Sequence, residues 1–110
     1  VIVVGADETE MARCVNRIRD MHGGAVVCDA GQVAAEIAMP VFGLISELPL
    51  EELVVRLKTI QQAAADLGVS FPDPLLTLIA LTGAAIPFLR ICEEGLVNFK
   101  DGRTVDWVVE

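Results

Sequence analysis

The chain has 110 residues, 54% of them hydrophobic and 22% charged, and its eight basic and sixteen acidic side chains leave a formal charge of −8. That length supports one domain, residues 1–110, with one buried core, and so apolar a composition excludes intrinsic disorder. The negative field, with no basic cluster to offset it, argues against nucleic acid and against an anionic membrane surface as partners.

In chain order, Val1–Val4 is a β-branched run stopped by Gly5 and reads as a buried strand. Asp7 then opens a capping box, with its carboxylate on a first-turn N–H and Glu10 reaching back. Met11, Val15, Ile18 and Met21 or His22 fall on one face of the helix that follows, and Gly23-Gly24 should end it. Ala25 to Asp29 and Gln32 to Ala38 read as a hairpin turned at Ala30-Gly31. Met39 to Glu47 is a loop of unusual apolarity, with Pro40, Val41, Phe42, Leu44 and Ile45, and should pack against something.

A long helix from about Pro49 to Leu67 carries a stripe of Leu50, Leu53, Val54, Leu57, Ile60, Ala64 and Leu67, and Gly68 ends it. Asp73-Pro74 starts a second helix, Leu75 to Leu81, apolar nearly all round and expected to be buried; Gly83 and Pro87 break it. Leu89 to Cys92, Leu96 to Phe99 and Thr104 to Val109 read as strands, with turns at Glu94-Gly95 and Asp101-Gly102. The order β-α-β-β-α-α-β-β-β predicts an α/β fold, a layered domain with a mixed sheet and packed helices, whose first β-α-β unit can be parallel.

Two readings of the high apolar share stay open: a surface covered by another domain or a second copy, or a core filled with Ala and Val. Cys14, Cys28 and Cys92 form no C-x-x-C and lie in apolar stretches, as small core residues in a reducing cytosol do; a reactive or metal-binding thiol is the alternative. There is no signal-peptide pattern, and the longest apolar stretch, Pro74 to Leu89, is too short for a bilayer. The start at Val1, inside a strand pattern and without Met, reads as a cut in a longer polypeptide.

Catalytic constellations are hard to assemble from these residues. Hydrolytic metal sites need several ligands, and His22 is the one histidine, placed where an imidazole favours a helix C-terminus. Ser46 and Ser70 have no elbow motif around them, and Gly5 stands where a phosphate loop would, without G-x-G-x-x-G or a P-loop. Trp107 reads as core or interface filler. The chain thus offers no catalytic residue and no metal ligand set of its own.

The unabsorbed residues carry a resemblance. Val3-Val-Gly-Ala-Asp, Met11-Ala, Val15-Asn-Arg, Gly23-Gly24 and Val26-Val27 resemble the start of the C-terminal domain of bacterial and archaeal adenine deaminases. Pro40-Val-Phe-Gly-Leu-Ile-Ser-Glu is similar to that family's P-x-x-G-L-M-S-D loop, Pro72-Asp-Pro-Leu-Leu-Thr-Leu to its D-P-F-M-T-L, and Ile86-Pro87 through Glu94-Gly95-Leu96 to its I-P-x-L-x-x-T-x-x-G-L. The resemblance implies a non-catalytic domain beside a metal-bearing (β/α)₈ barrel of the amidohydrolase superfamily, in a cytoplasmic purine-salvage hydrolase. The barrel would convert adenine and water into hypoxanthine and ammonia with Mn or Fe. It implies packing on that barrel and on a second subunit, and it places Ser46 and Glu47 near substrate, although Glu47 stands where the family has Asp and Ile45 where it has Met. A stand-alone small-ligand or regulatory module, with a polar pocket near Gly5 to Asp7, is the alternative of another class. A thiol-based redox protein, which would need a low-pKa cysteine, is a third.

Overall fold

A computed structural model describes residues 1–83, 88–92 and 95–105. Its elements are helix α1 (Glu8–Asp20), strands β1 (Gly24–Asp29) and β2 (Gln32–Ala38), helices α2 (Leu50–Asp66) and α3 (Pro74–Thr82), and strands β3 (Leu89–Cys92), β4 (Gly95–Asn98) and β5 (Arg103–Val105). The α/β class holds. The sheet differs from expectation, because β1 and β2 form one antiparallel pair and β3, β4 and β5 a separate antiparallel meander. Trp107, Pro87, the Glu94 side of one turn and the strand expected beyond Val105 lie outside the described residues.

Val1–Val4 forms no strand, which removes the expected parallel β-α-β unit. Val1 and Val4 are 84% and 77% exposed. β-branched residues favour a ladder only where a neighbouring strand offers its N–H and C=O rows and a face to pack on, and no described strand offers one here.

The local signals at α1 are half kept. Asp7 Oδ1 accepts from Glu10 N at 2.9 Å, the expected cap. The Glu10 carboxylate does not reach back to complete a capping box. Its Oε1 accepts from Gly31 N at 2.9 Å, so it bridges the helix to the hairpin tip. The helix ends at Asp20, before the glycines, in a Schellman motif: His22 N donates to Arg19 O and Gly23 N to Ile18 O. The left-handed position falls on His22, at φ 62°, where glycine is the usual occupant. At the end of α2 the same motif has glycine there: Gly68, φ 87°, donates to Ala65 O and Val69 to Ala64 O.

The hairpin turns at Ala30-Gly31 as expected, with φ 49° and 82°, the double positive φ of a type I′ turn. Its inner face makes the core. Ile37 is 1% exposed and clusters with Ala35, Met39 and Ile60, against which Val27, Leu53, Leu57 and Leu75 pack. α1 lies on β1, and α2 lies on β2 and β1. The α2 stripe is therefore narrower than expected: Leu53, Leu57, Ile60 and Ala64 face inward, whereas Leu50 is 70% exposed and Val54 and Leu67 are also exposed. α3 was expected to be buried but is not. It packs on α2, with Leu75 against the core cluster, and no residue along it is buried. Asp73 caps it through Leu76 N at 2.9 Å.

Candidate functional site

The apolar loop leaves β2 through Met39, which is buried and donates its N–H to Gly23 O at 3.2 Å. Gly23 and Gly24, at φ 124° and 130°, leave no room for a side chain: a Cβ on Gly23 would collide with the Gly43 backbone, and one on Gly24 with Ile37 O. That close approach seats the loop against the start of β1.

Beyond Pro40 the loop folds on itself. Val41 N donates to Ile45 O at 3.3 Å and Ile45 N to Val41 O at 3.0 Å, closing a miniature antiparallel bridge. Phe42 and Gly43 form the tip, both at positive φ, 55° and 76°. For a bulky aromatic residue this conformation costs about 1–2 kcal/mol, and such strain concentrates at recognition and catalytic sites. The ring gains nothing in return from this chain, being 92% exposed. Leu44, Ile45 and Leu50 extend the apolar surface, each about half exposed or more.

Ser46 and Glu47 follow the tip at the entry to α2. Ser46 is half-buried, and its hydroxyl accepts from Leu48 N at 3.3 Å, which shapes the turn. Glu47 is exposed. The structure thus gives Ser46 a backbone role and leaves Glu47 exposed four residues after Gly43.

Three pairings were invisible in the sequence because they cross between elements. Arg17 of α1 clasps Glu36 of β2 with Nε and Nη2, each at 2.7 Å. Those hydrogen bonds hold the Glu36 carboxyl below its ordinary range, against an opposing push from burial, with the Arg17 charge and then Arg56 adding to the pull. Glu10 reaches Gly31, as above. The sulfurs of Cys14 on α1 and Cys28 on β1 lie 2.6 Å apart. Burial, then the hydrogen bond with Cys14, pushes the Cys28 thiol up to about 12, the opposite of an activated nucleophile.

Two open concavities border α2 and the hairpin, one lined by Asp29, Thr59, Gln62 and Asp66 among others, the second by Arg17, Glu36, Arg56 and Thr59 among others. Neither includes Gly5 to Asp7, where a small-ligand module would keep its pocket, and Asp7 is spent as a helix cap. Among the described residues no three His, Cys, Asp or Glu side chains group so as to hold a metal ion, and no helix is long and apolar enough to cross a membrane.

Comparison with known proteins agrees with the resemblance read from the motifs. No solved structure matches the chain. An adenine deaminase of Methylobacterium sp. (strain 4-46) is 45% identical over 96 residues, 87% of this chain. One of Cereibacter sphaeroides (strain KD131) is 43% identical over the same length, and one of Methanococcoides burtonii is 38% identical over 98 residues, 89% of this chain. The chain spans about 17% of the length of each. The family model described as the adenine deaminase C-terminal domain matches residues 1–103, so this chain belongs to the family of adenine deaminase C-terminal domains.

Proposed function

We propose that this domain serves a metal-dependent adenine deaminase of the cytoplasm as a non-catalytic partner of its catalytic barrel, and that the Pro40–Glu47 loop is the contact. The observation that carries the reading is the strained, 92% exposed Phe42 at a tip closed by the Val41–Ile45 bridge and seated on Gly23. A large aromatic presented in this way is the anchor of an interface, since its burial gives contact area at small conformational cost. The barrel would deaminate adenine with water to hypoxanthine and ammonia. Its Mn or Fe finds no fitting ligand group among the described residues here, so no step of that reaction is assigned to this chain. Ser46 and Glu47, next to the anchor, are the residues brought nearest the barrel mouth, with Ser46 holding the turn and Glu47 offering a carboxylate. A second subunit is a further contact of the remaining apolar surface.

The test is reconstitution in trans. The chain is mixed with the Methylobacterium relative truncated to remove its matching C-terminal segment, and complex formation is followed by gel filtration and adenine turnover. The chain alone with Mn²⁺ or Fe²⁺ should show no deamination, and the mixture should form a complex that Phe42→Asp weakens at least about tenfold, as loss of an interface anchor does. Turnover by the pure chain, or a complex indifferent to Phe42→Asp, would sink the proposal.

A further inference from the structure

We propose that Cys14 and Cys28 form a reversible disulfide site, oxidised by small-molecule disulfides, that covalently links α1 to β1. The site is a juxtaposition of two elements. Cys14 lies on the face of α1 that packs on the hairpin, and Cys28 near the end of β1, with their sulfurs 2.6 Å apart. The two sulfurs are thus in direct contact, as closure of a disulfide requires. The Cys14 thiol has Val26 O as its other polar neighbour, at 3.9 Å. Cys92, on β3, belongs to the other sheet.

The fold, rather than chance collision, keeps the pair together. The Glu10–Gly31 hydrogen bond and the Arg17–Glu36 clasp hold α1 on the hairpin from either side of Cys14. Each thiol is thereby presented to the other at an effective concentration set by tertiary structure. A paired site of this kind closes at the cost of small side-chain movements, whereas a cysteine buried among hydrocarbons has no partner to close on.

The order of events follows from access. Cys14 is half-buried and Cys28 is buried, so Cys14 meets the oxidant first. The Cys14 thiolate attacks one sulfur of the small disulfide, forming a mixed disulfide and releasing one small thiolate. The Cys28 thiol gives up its proton to solvent, and the resulting minor thiolate attacks Cys14 Sγ. The Cys14–small-molecule bond breaks, and the departing small thiolate takes up a proton. Two protein thiols are oxidised, and one small disulfide is reduced to two thiols. Burial keeps the Cys28 thiol protonated at neutral pH, which makes closure slow and selective for a partner already in contact.

The experiment treats the whole chain with oxidised glutathione under native conditions, then alkylates, weighs and peptide-maps it. The expected product is two hydrogen masses lighter, contains a Cys14–Cys28 cross-linked peptide, and takes up one alkyl group, at Cys92. The glutathione ratio for half-oxidation should favour the link by at least about tenfold more in the native chain than in concentrated guanidinium, since a native contact and a disulfide stabilise each other. Cys92→Ser should form the same link, and Cys28→Ser should stop at a mixed disulfide on Cys14. Persistent mixed disulfides on the unsubstituted chain, cross-links to Cys92, two alkylated thiols at Cys14 and Cys28 after oxidation, or equal ratios in native and unfolded chain would overturn the proposal.

Discussion

Arg17 Nε and Nη2 donate to Glu36 Oε2 and Oε1 in two parallel hydrogen bonds of 2.7 Å, joining α1 to β2 across 19 residues of sequence. Fork-to-fork geometry of this kind is the strong form of an ion pair, although side-chain exposures of 42% and 30% keep its contribution modest. Because the folded Glu36 carboxyl titrates below its ordinary 4.5, the clasp stabilises the fold fully above about that pH. The contribution fades as pH falls through the lower, folded-state value. Glu36→Gln should therefore lower the Tm at neutral pH by a small amount and leave it unchanged in acid, where both proteins carry a neutral side chain. Parallel Tm-against-pH curves for the two, without convergence in acid, would refute the assignment.

Ile37 is the most deeply buried side chain among the described residues, 1% exposed, and it meets Ile60 of α2 in the core. Ile37→Ala removes three carbons from a packed site and should cost about 2–5 kcal/mol. Urea unfolding should show this as a lower midpoint at an unchanged slope. A cost under about 1 kcal/mol would mean that the hairpin does not bear the core.

Gly24 sits at φ 130° with Ile37 O against its α-carbon, so Gly24→Ala meets both a forbidden backbone conformation and a backbone collision. The expected loss is about 1–3 kcal/mol. Gly68→Ala has open space around it and only the φ penalty, so it should cost less than Gly24→Ala in the same melts.

Ala30 holds φ 49° in the hairpin turn, where an alanine is strained and asparagine is well tolerated. Ala30→Asn should stabilise the chain by about 0.5–1 kcal/mol. A thermal melt at or below the unsubstituted Tm would argue against a type I′ turn.

Phe42 makes the opposite case from Ile37. At 92% exposure it contributes little to this fold, so Phe42→Asp should change stability by no more than about 0.5 kcal/mol. Equal melts beside a weakened complex would separate an interface residue from a structural one.

Much of the fold was readable because its signals are short-ranged. The Asp7 and Asp73 caps act on N–H groups three residues away, Gly68 ends α2 within one turn, and Ala30-Gly31 turns two adjacent strands. The apolar loop, too, stood out from composition alone. His22 escaped because glycine is the usual left-handed residue, and the next two positions offered glycines.

The sequence by itself determined where helices begin, where the hairpin turns, which loop is out of character, and to which family the motifs point. Tertiary structure alone decided that Val1–Val4 finds no ladder partner among the described strands, that Glu10 turns to Gly31 instead of its own helix, and that α3 stays open on its outer face. It also decided that Arg17 meets Glu36 and that Cys14 meets Cys28. The physical reason is distance along the chain. A cap or turn is settled by atoms within four residues, whereas these pairs stand 14 to 21 residues apart and meet only once a helix has docked on a strand.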